Sequence, residues 1–308
     1  MVTERQVATS LTHLRQDTEA QTARLESEHA TTRVLREVRG PTALGGGGLR
    51  RSLELLWILA RYDFKKAYHG TVLGYLWSVF RPLLLFSVLV AVFTQVFRAG
   101  SGVPHYPVML LLNIVLFNLF TEATTMAVGS IVGQESIVRK TEFPRAVIPL
   151  SVVLTSTLTF ALNMLVVFAF MLAWGLEPRL SWLGILPLVG LLLFITASVS
   201  LILASLYPRF RDTAIIWSVL STVLFYGSPV LYPAEIVPAP LAHVIQANPL
   251  APILELARVW MIDPNAPTPV ELAGGAPWLA IPIAVTLLLG AASIFIFNRE
   301  APRIAESL

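Results

Sequence analysis

The 308-residue chain has no cysteine, only three lysines and few charges of either sign. Each shortage excludes something. Without cysteine there is no disulfide, no thiolate metal site and no redox pair. The lysines (Lys65, Lys66 and Lys140) follow no glycine-rich turn, so the Gly-x-x-x-x-Gly-Lys-Ser/Thr loop that cradles nucleotide phosphates is missing. His-Glu-x-x-His is missing too, and His13, His29, His69, His105 and His243 are scattered, so no metal site is indicated. Charged residues make up 13% of the chain, where a soluble domain carries about 25%. Hydrophobic residues make up 55%. So few charges cannot solvate a core of this size, and the composition implies that lipid is the solvent.

The charge that remains is unevenly placed. Residues 1–81 hold 12 of the 22 Lys and Arg residues, and the long stretch 82–298 holds eight. With a net charge of only +3, these basic groups read as determinants of membrane topology and not as a nucleic-acid surface. The opening residues are polar, hold no sustained heptad and close on Gly45 to Gly48, a linker composition. Residues 1–51 are therefore expected to be a cytoplasmic extension with a glycine-rich linker. The start of the chain is charged and has no apolar core of about 7–15 residues, so it does not read as a secretory signal.

Residues 52–70 read as an amphipathic helix lying in the membrane surface. Leu53, Leu56, Trp57, Ala60, Phe64 and Tyr68 recur at spacings of three and four, while Glu54, Arg61 and Lys65 share another face. Residues 71–308 then form the transmembrane domain. Six apolar segments (74–97, 107–129, 147–174, 182–206, 214–233 and 277–297) approach the ~20 residues that cross a bilayer. The fold class expected is an all-α polytopic membrane protein with six spans. The first span needs an extra turn that takes in Arg81 and Pro82, with Arg81 snorkelling to the surface and Pro82 near the helix start. With the N-terminus inside, the inner loops and tail carry Arg139, Lys140, Arg145, Arg209, Arg211, Arg299 and Arg303, against Arg98, Arg179 and Arg258 outside. That asymmetry places both termini in the cytoplasm. The outer stretch 234–276 is apolar and proline-rich, and Ala251 to Ile262 is helical but too short to span, so short re-entrant or surface-lying helices are expected there.

Glu122 is the one clear intramembrane carboxylate, a thin basis for an ion-coupled carrier. It reads as protonated, or as bonded to Thr121, Thr124 or Thr125 on a facing helix. The inner stretch SIVGQESIVRKTEFPRAVIPL is amphipathic with mixed charge, which suits either an ordinary positive-inside loop or a helix that docks into a partner's groove.

Five strings taken in order bear on that choice. They are RYDFKKAYHGTVLGYLWSVFRPLLL, IVRKTEFPRAVIPL, LYPRFRDTAII, FYGSPVLYP and ANPLAPILELAR, and they run from residue 61 to residue 258. The set resembles the type 2 ATP-binding-cassette export permeases that move polysaccharides. The resemblance implies a homodimer of permeases in the bacterial cytoplasmic membrane, above two copies of a separate nucleotide-binding subunit. That partner binds ATP and Mg, and this chain needs no cofactor and is no enzyme. The helix at 52–69 (Trp57, Arg61, Phe64 and Tyr68) and the loop after the second span then meet the ATPase. The coupling residues implied are Glu135, Arg139, Phe143, Pro144 and Arg145, with Arg209 to Asp212 in the second inner loop anchored against a neighbouring protomer or the interfacial helix. Segment 234–276 corresponds to gate helices at the outer mouth. Two features depart from the family pattern: the first ~48 residues extend beyond it, and Arg81 stands where a neutral residue is expected.

A sugar polymer is polar yet presents CH faces, so aromatic rings can stack on it and let it slide. Phe86, Phe93, Phe117, Phe120, Phe225, Tyr226 and Tyr232 are candidate channel rings; core or lipid-facing packing is the alternative for each. The function expected is export of a lipid-linked polysaccharide such as an O-antigen, teichoic acid or galactan. A related permease for a drug or simple lipid is one rival. A membrane glycosyltransferase is another, although the outer carboxylates (Glu177, Glu235, Glu255, Asp263 and Glu271) show no recognisable catalytic pairing.

Overall fold

The computed structural model describes residues 48–68, 74, 76–96, 102–134 and 145–307, and among these the regular structure is helical throughout. Contacts divide the chain into Met1–Ile58 and Leu59–Leu308. The described part of the first unit is the opening of helix α1 (Gly48–Tyr68). The second unit holds α2 (Leu76–Ala91), continued by a wider turn at Val92–Val96, then α3 (Tyr106–Val128) and the short α4 (Ser130–Gly133). It goes on with α5 (Val147–Ala173), α6 (Ile185–Leu206), α7 (Thr213–Gly227), α8 (Ala239–Gln246), α9 (Leu250–Met261), α10 (Pro269–Leu272) and α11 (Ala280–Ser307).

Five helices among the described residues are long and apolar enough to cross a membrane: Leu76–Thr94, Tyr106–Val128, Val147–Ala173, Leu180–Leu206 and Ala276–Glu300. The fifth expected span, 214–233, is not among them. Its helix, α7, has 15 residues, about 22 Å at 1.5 Å per residue. Proline at 229 is the physical reason. It pushes Ser228 out of the helical region to φ −107°, ψ 154°, and the chain leaves the helix through a turn at 228–230, where the Val230 N–H donates to the Ser228 carbonyl at 2.7 Å. Carbonyls of the segment that follows α7 accept bonds from α3. The Tyr106 hydroxyl donates to the Leu231 carbonyl at 2.6 Å, and Asn113 Nδ2 donates to the Pro229 carbonyl at 3.0 Å. The first span does include the turn with Arg81, but helix α2 starts at Leu76, so Pro82 is buried within the helix interior and not in its first turn.

Helix α3 is the hub. It is apolar on every face, the pattern of a helix buried all round. His105, in the left-handed region at φ 52°, and Pro107 at the helix start set its entry. Leu110, Leu112, Ile114 and Leu116 are fully buried in one core with residues of α5, α6 and α9. Helix α5 stops at Gly175, whose φ of +79° lets Leu176 N–H reach back to the Met171 carbonyl at 3.0 Å. Two glycines allow close approach elsewhere. A Cβ on Gly184 would sit 2.3 Å from Trp260 of α9, and one on Gly290 of α11 would sit 2.6 Å from the ring of Phe194 on α6.

Candidate functional site

Helix α7 touches the bundle along one narrow stripe. Trp217 and Ser221 are buried, one turn apart, while Ile215, Ile216, Val219, Leu220, Val223 and Tyr226 are exposed. The stripe is aromatic. Trp217 packs edge-on against Phe120 with centroids 5.9 Å apart, and its indole Nε1 donates to Thr124 Oγ1 at 3.2 Å. Phe120 and Phe117 are 6.0 Å apart, Phe117 and Phe225 5.3 Å, and Phe225 and Tyr226 5.3 Å. Four of the sequence-derived rings thus form one continuous run between α3 and α7. Phe117 and Phe120 lie buried within it, and Tyr226 is exposed at its end. Tyr232 joins through its hydroxyl, which donates to the Tyr226 carbonyl at 3.2 Å. Phe86 stands apart, buried edge-on against Phe170 at 5.4 Å. Phe93 is half-buried on the wide turn that ends α2.

A polar cluster sits beneath the segment between α7 and α11. Arg258 of α9 donates through Nη1 and Nη2 to the two carboxylate oxygens of Glu235, at 2.8 Å each. Three residues earlier on α9, the carboxyl of Glu255 accepts from Gln246 Nε2 at 2.6 Å. Glu255, Arg258 and Gln246 are all buried. Burial pushes the Glu255 carboxyl up to about 8, with neighbouring Glu235 adding to the rise and Gln246 and Arg258 opposing it. Burial also works on Glu235, but the Arg258 bonds and charge outweigh it and hold that carboxyl below its ordinary value. Asn248 fastens the same region, donating to Ser228 Oγ at 2.7 Å while its Oδ1 accepts from Leu250 N–H at 3.0 Å.

At the opposite end of the bundle, Arg209 lies 3.9 Å from Glu300 on α11 and over the ring of Phe210. Arg211 lies over Tyr207, with 5.0 Å to the centroid. Asp212 is exposed, and its carbonyl accepts the Ile216 N–H at 2.9 Å as α7 begins. Arg145 is half-buried in the turn that opens α5. Glu135, Arg139, Phe143 and Pro144 lie outside the described residues. In α1, Ala60 is fully buried and its carbonyl accepts from Thr155 Oγ1 at 3.2 Å. Trp57 and Arg61 are exposed, Phe64 is half-buried, and Tyr68 closes the helix. Within the bundle, Thr121 and Thr124 bond to carbonyls of their own helix, and Arg81 acts electrostatically on Glu122.

Sequence reasoning passed over Trp217, Asn113 and Gln246, and counted Arg258, Glu235 and Glu255 only as separate outer charges. Trp217 was findable, because it precedes Ser221 and Phe225 at the spacing of one helical stripe. The partners of Asn113 and Gln246 lie on other elements, and no local pattern names them.

Five helices able to cross a membrane, an aromatic run along a sparsely packed sixth helix and a buried polar cluster beside it define the class as a multi-pass helical membrane protein. Residues 54–262 match the model of the ABC-2 type transporter family, and the chain belongs to that family. It is 33% identical over 258 residues to an O-antigen export system permease protein of Klebsiella pneumoniae, covering 83% of this chain and 95% of the relative. A Myxococcus xanthus O-antigen export system permease protein is 30% identical over 258 residues, covering 82% and 95%. A polysialic acid transport protein of Escherichia coli is 23% identical over 227 residues, covering 71% and 84%.

Proposed function

We propose that this chain is the permease subunit of an ATP-driven exporter that moves a lipid-linked polysaccharide across the cytoplasmic membrane. The observation that carries the reading is its likeness to O-antigen permeases over 95% of their length. A separate nucleotide-binding subunit binds ATP and Mg and does the hydrolysis. Two copies of it sit beneath two copies of this chain, and both termini of each permease face the cytoplasm. In that orientation α7 is the fifth of six spans, completed by the segment after Gly227 and by a thinner local bilayer. Helices α8 to α10 are the outer gate segment, and α1 lies in the inner membrane surface.

The exposed faces of α2 and α7 support a path between two copies. Both helices are poorly covered within one chain, and α7 carries the aromatic run that ends at exposed Tyr226. Rings stacking on sugar CH faces give grip without fixed hydrogen bonds, which suits a polymer that must slide. The ATPase stroke reaches the spans through α1 and the loops around residues 135–145 and 209–212.

Depleting the chain in its own cell tests this reading. Lipid-linked polymer should accumulate on the cytoplasmic side and vanish from the outer surface. Normal surface polymer in depleted cells would contradict it. Deleting residues 143–145 should abolish stimulation of the partner's ATPase while the permease still reaches the membrane.

A further inference from the structure

The cluster around α9 contains a pair of buried groups that is incomplete in one specific way. Gln246 Nε2 donates to Glu255 Oε1 at 2.6 Å, yet Glu255 Oε2 and Gln246 Oε1 are both buried with no partner. A buried polar atom left unpaired is costly. A proton on Glu255 Oε2 converts that atom from acceptor to donor, and the Gln246 amide oxygen is the acceptor that remains. One proton between these two oxygens would satisfy both and close a two-bond ring between acid and amide.

We propose that Glu255 and Gln246 form this closed acid–amide pair, that it clasps α8 to α9, and that loss of its proton releases α8. Gln246 is the last residue of α8, so the pair fastens the C-terminal end of that helix. Arg258 holds Glu235 through Nη1 and Nη2, while its Nε is buried with no partner; Glu235, whose side chain is 32% exposed, balances the guanidinium charge. Ionised Glu255 adds a second negative charge to a cluster that is neutral without it, and it leaves the amide oxygen unpaired.

Glu235, Arg258 and Tyr232 are the groups that interact electrostatically with Glu255. Helix α6, packed on α9, has no titratable side chain along its length. Helix α3 brings Tyr106, bonded to the Leu231 carbonyl, with His105 just before it. Helix α8 brings His243, stacked on Trp278 at 4.6 Å. Helix α10 brings Glu271, which accepts from the Thr268 N–H at 2.8 Å, and Arg179 precedes the turn leading into α6.

Because the Glu255 carboxyl is raised from 4.5 to about 8, the proton-linked stabilisation is full below 4.5 and is lost as pH rises through about 8. Neutral pH keeps the clasp closed, and mild alkali on the gate side opens it. Only the assignment of that side to the cell exterior rests on the proposed function. The test reads local mobility, so failure of the clasp and failure of the export reading are separately visible.

The absence of cysteine makes the test direct, since one introduced thiol is a unique probe. Val244 on α8 is exposed. The full-length permease carrying Val244→Cys and a spin label there, reconstituted in lipid with its ATPase partner, is followed from pH 6 to pH 10. The mobile fraction should rise severalfold in one transition centred near pH 8. Adding Glu255→Gln, which pairs amide with amide and needs no proton, should leave the label immobile across the range. Gln246→Glu gives an independent arm: two facing carboxyls sharing a proton should move the transition to higher pH. A label that ignores pH, a transition that persists in Glu255→Gln, or one that does not move in Gln246→Glu would overturn the clasp.

Discussion

Helices α2 and α3 are neighbours in sequence and in space, yet their surroundings are opposite. In the most apolar 18-residue stretch of each, 78% of α3 is buried and 17% of α2. The buried helix is the less hydrophobic of the two. That order would be reversed in a water-soluble protein, where apolar area drives burial. In lipid the tails are as apolar as leucine, so helices associate through packing and polar bonds. Helix α3 has both: the Tyr106 and Asn113 bonds to the segment after α7, and the Thr124 hydroxyl under Trp217. Helix α2 turns leucine and valine outward at Leu84, Leu85 and Val88. Helix α7 behaves like α2 except along its aromatic stripe. The core of one chain is thus assembled by its polar contacts, and the most apolar faces are left for lipid or a second copy.

The comparison is most severely tested where a polar contact is removed from the well-packed part. Arg258→Ala leaves Glu235 without its partner and should lower stability by about 3 kcal/mol, the low edge for a broken buried pair because Glu235 reaches solvent. Thermal unfolding in detergent reads this, and Arg258→Lys should recover only part of the loss, since an ammonium cannot bond both carboxylate oxygens in the same fork. Next comes Gly184→Ala, whose methyl meets the Trp260 ring; overpacking of this kind costs about 1–3 kcal/mol. Gly290→Ala should cost less, because Phe194 is itself exposed and can swing aside. Asn113→Ala should cost about 0.6–1.7 kcal/mol, the range for a hydrogen bond between helices in a membrane. The smallest effect belongs to α7: Val219→Ala should change the stability of the single chain by less than about 0.5 kcal/mol. Equal losses for Asn113→Ala and Val219→Ala would break the contrast.

Much of the fold could be read from residue order. The α2, α3, α5, α6 and α11 spans fall where their apolar runs lie, and the short outer helix expected at 251–262 is α9, Leu250–Met261. The fifth apolar run reads on past its helix because Val230 and Leu231 are as apolar as the residues before them, while Pro229 ends the helix locally. The site was less legible. A helix such as α3, with apolar residues on every face, carries no periodic signal, so nothing in order alone separates buried Phe117 and Phe120 from rings that line a path. Glu255 and Gln246 are nine residues apart on different helices, and only the turn at Ala247 to Pro249 brings them together. Arg258 and Glu235 were each counted as loop charges, although the bidentate pair they form holds α9 to the turn before α8.

The central claim is that the uncovered face of α7 meets a second copy of the chain and the transported polymer, not lipid alone. Single cysteines at Ile215, Ile216, Val219, Leu220 and Val223, each in the otherwise cysteine-free chain, can be oxidised in native membranes containing the ATPase partner. Leu287, exposed on α11, is the lipid-facing control. At least one α7 position should give a disulfide-linked permease dimer whose yield changes when ATP is added, while Leu287→Cys stays monomeric. Monomer at every α7 position, or equal cross-linking at Leu287, would contradict the account.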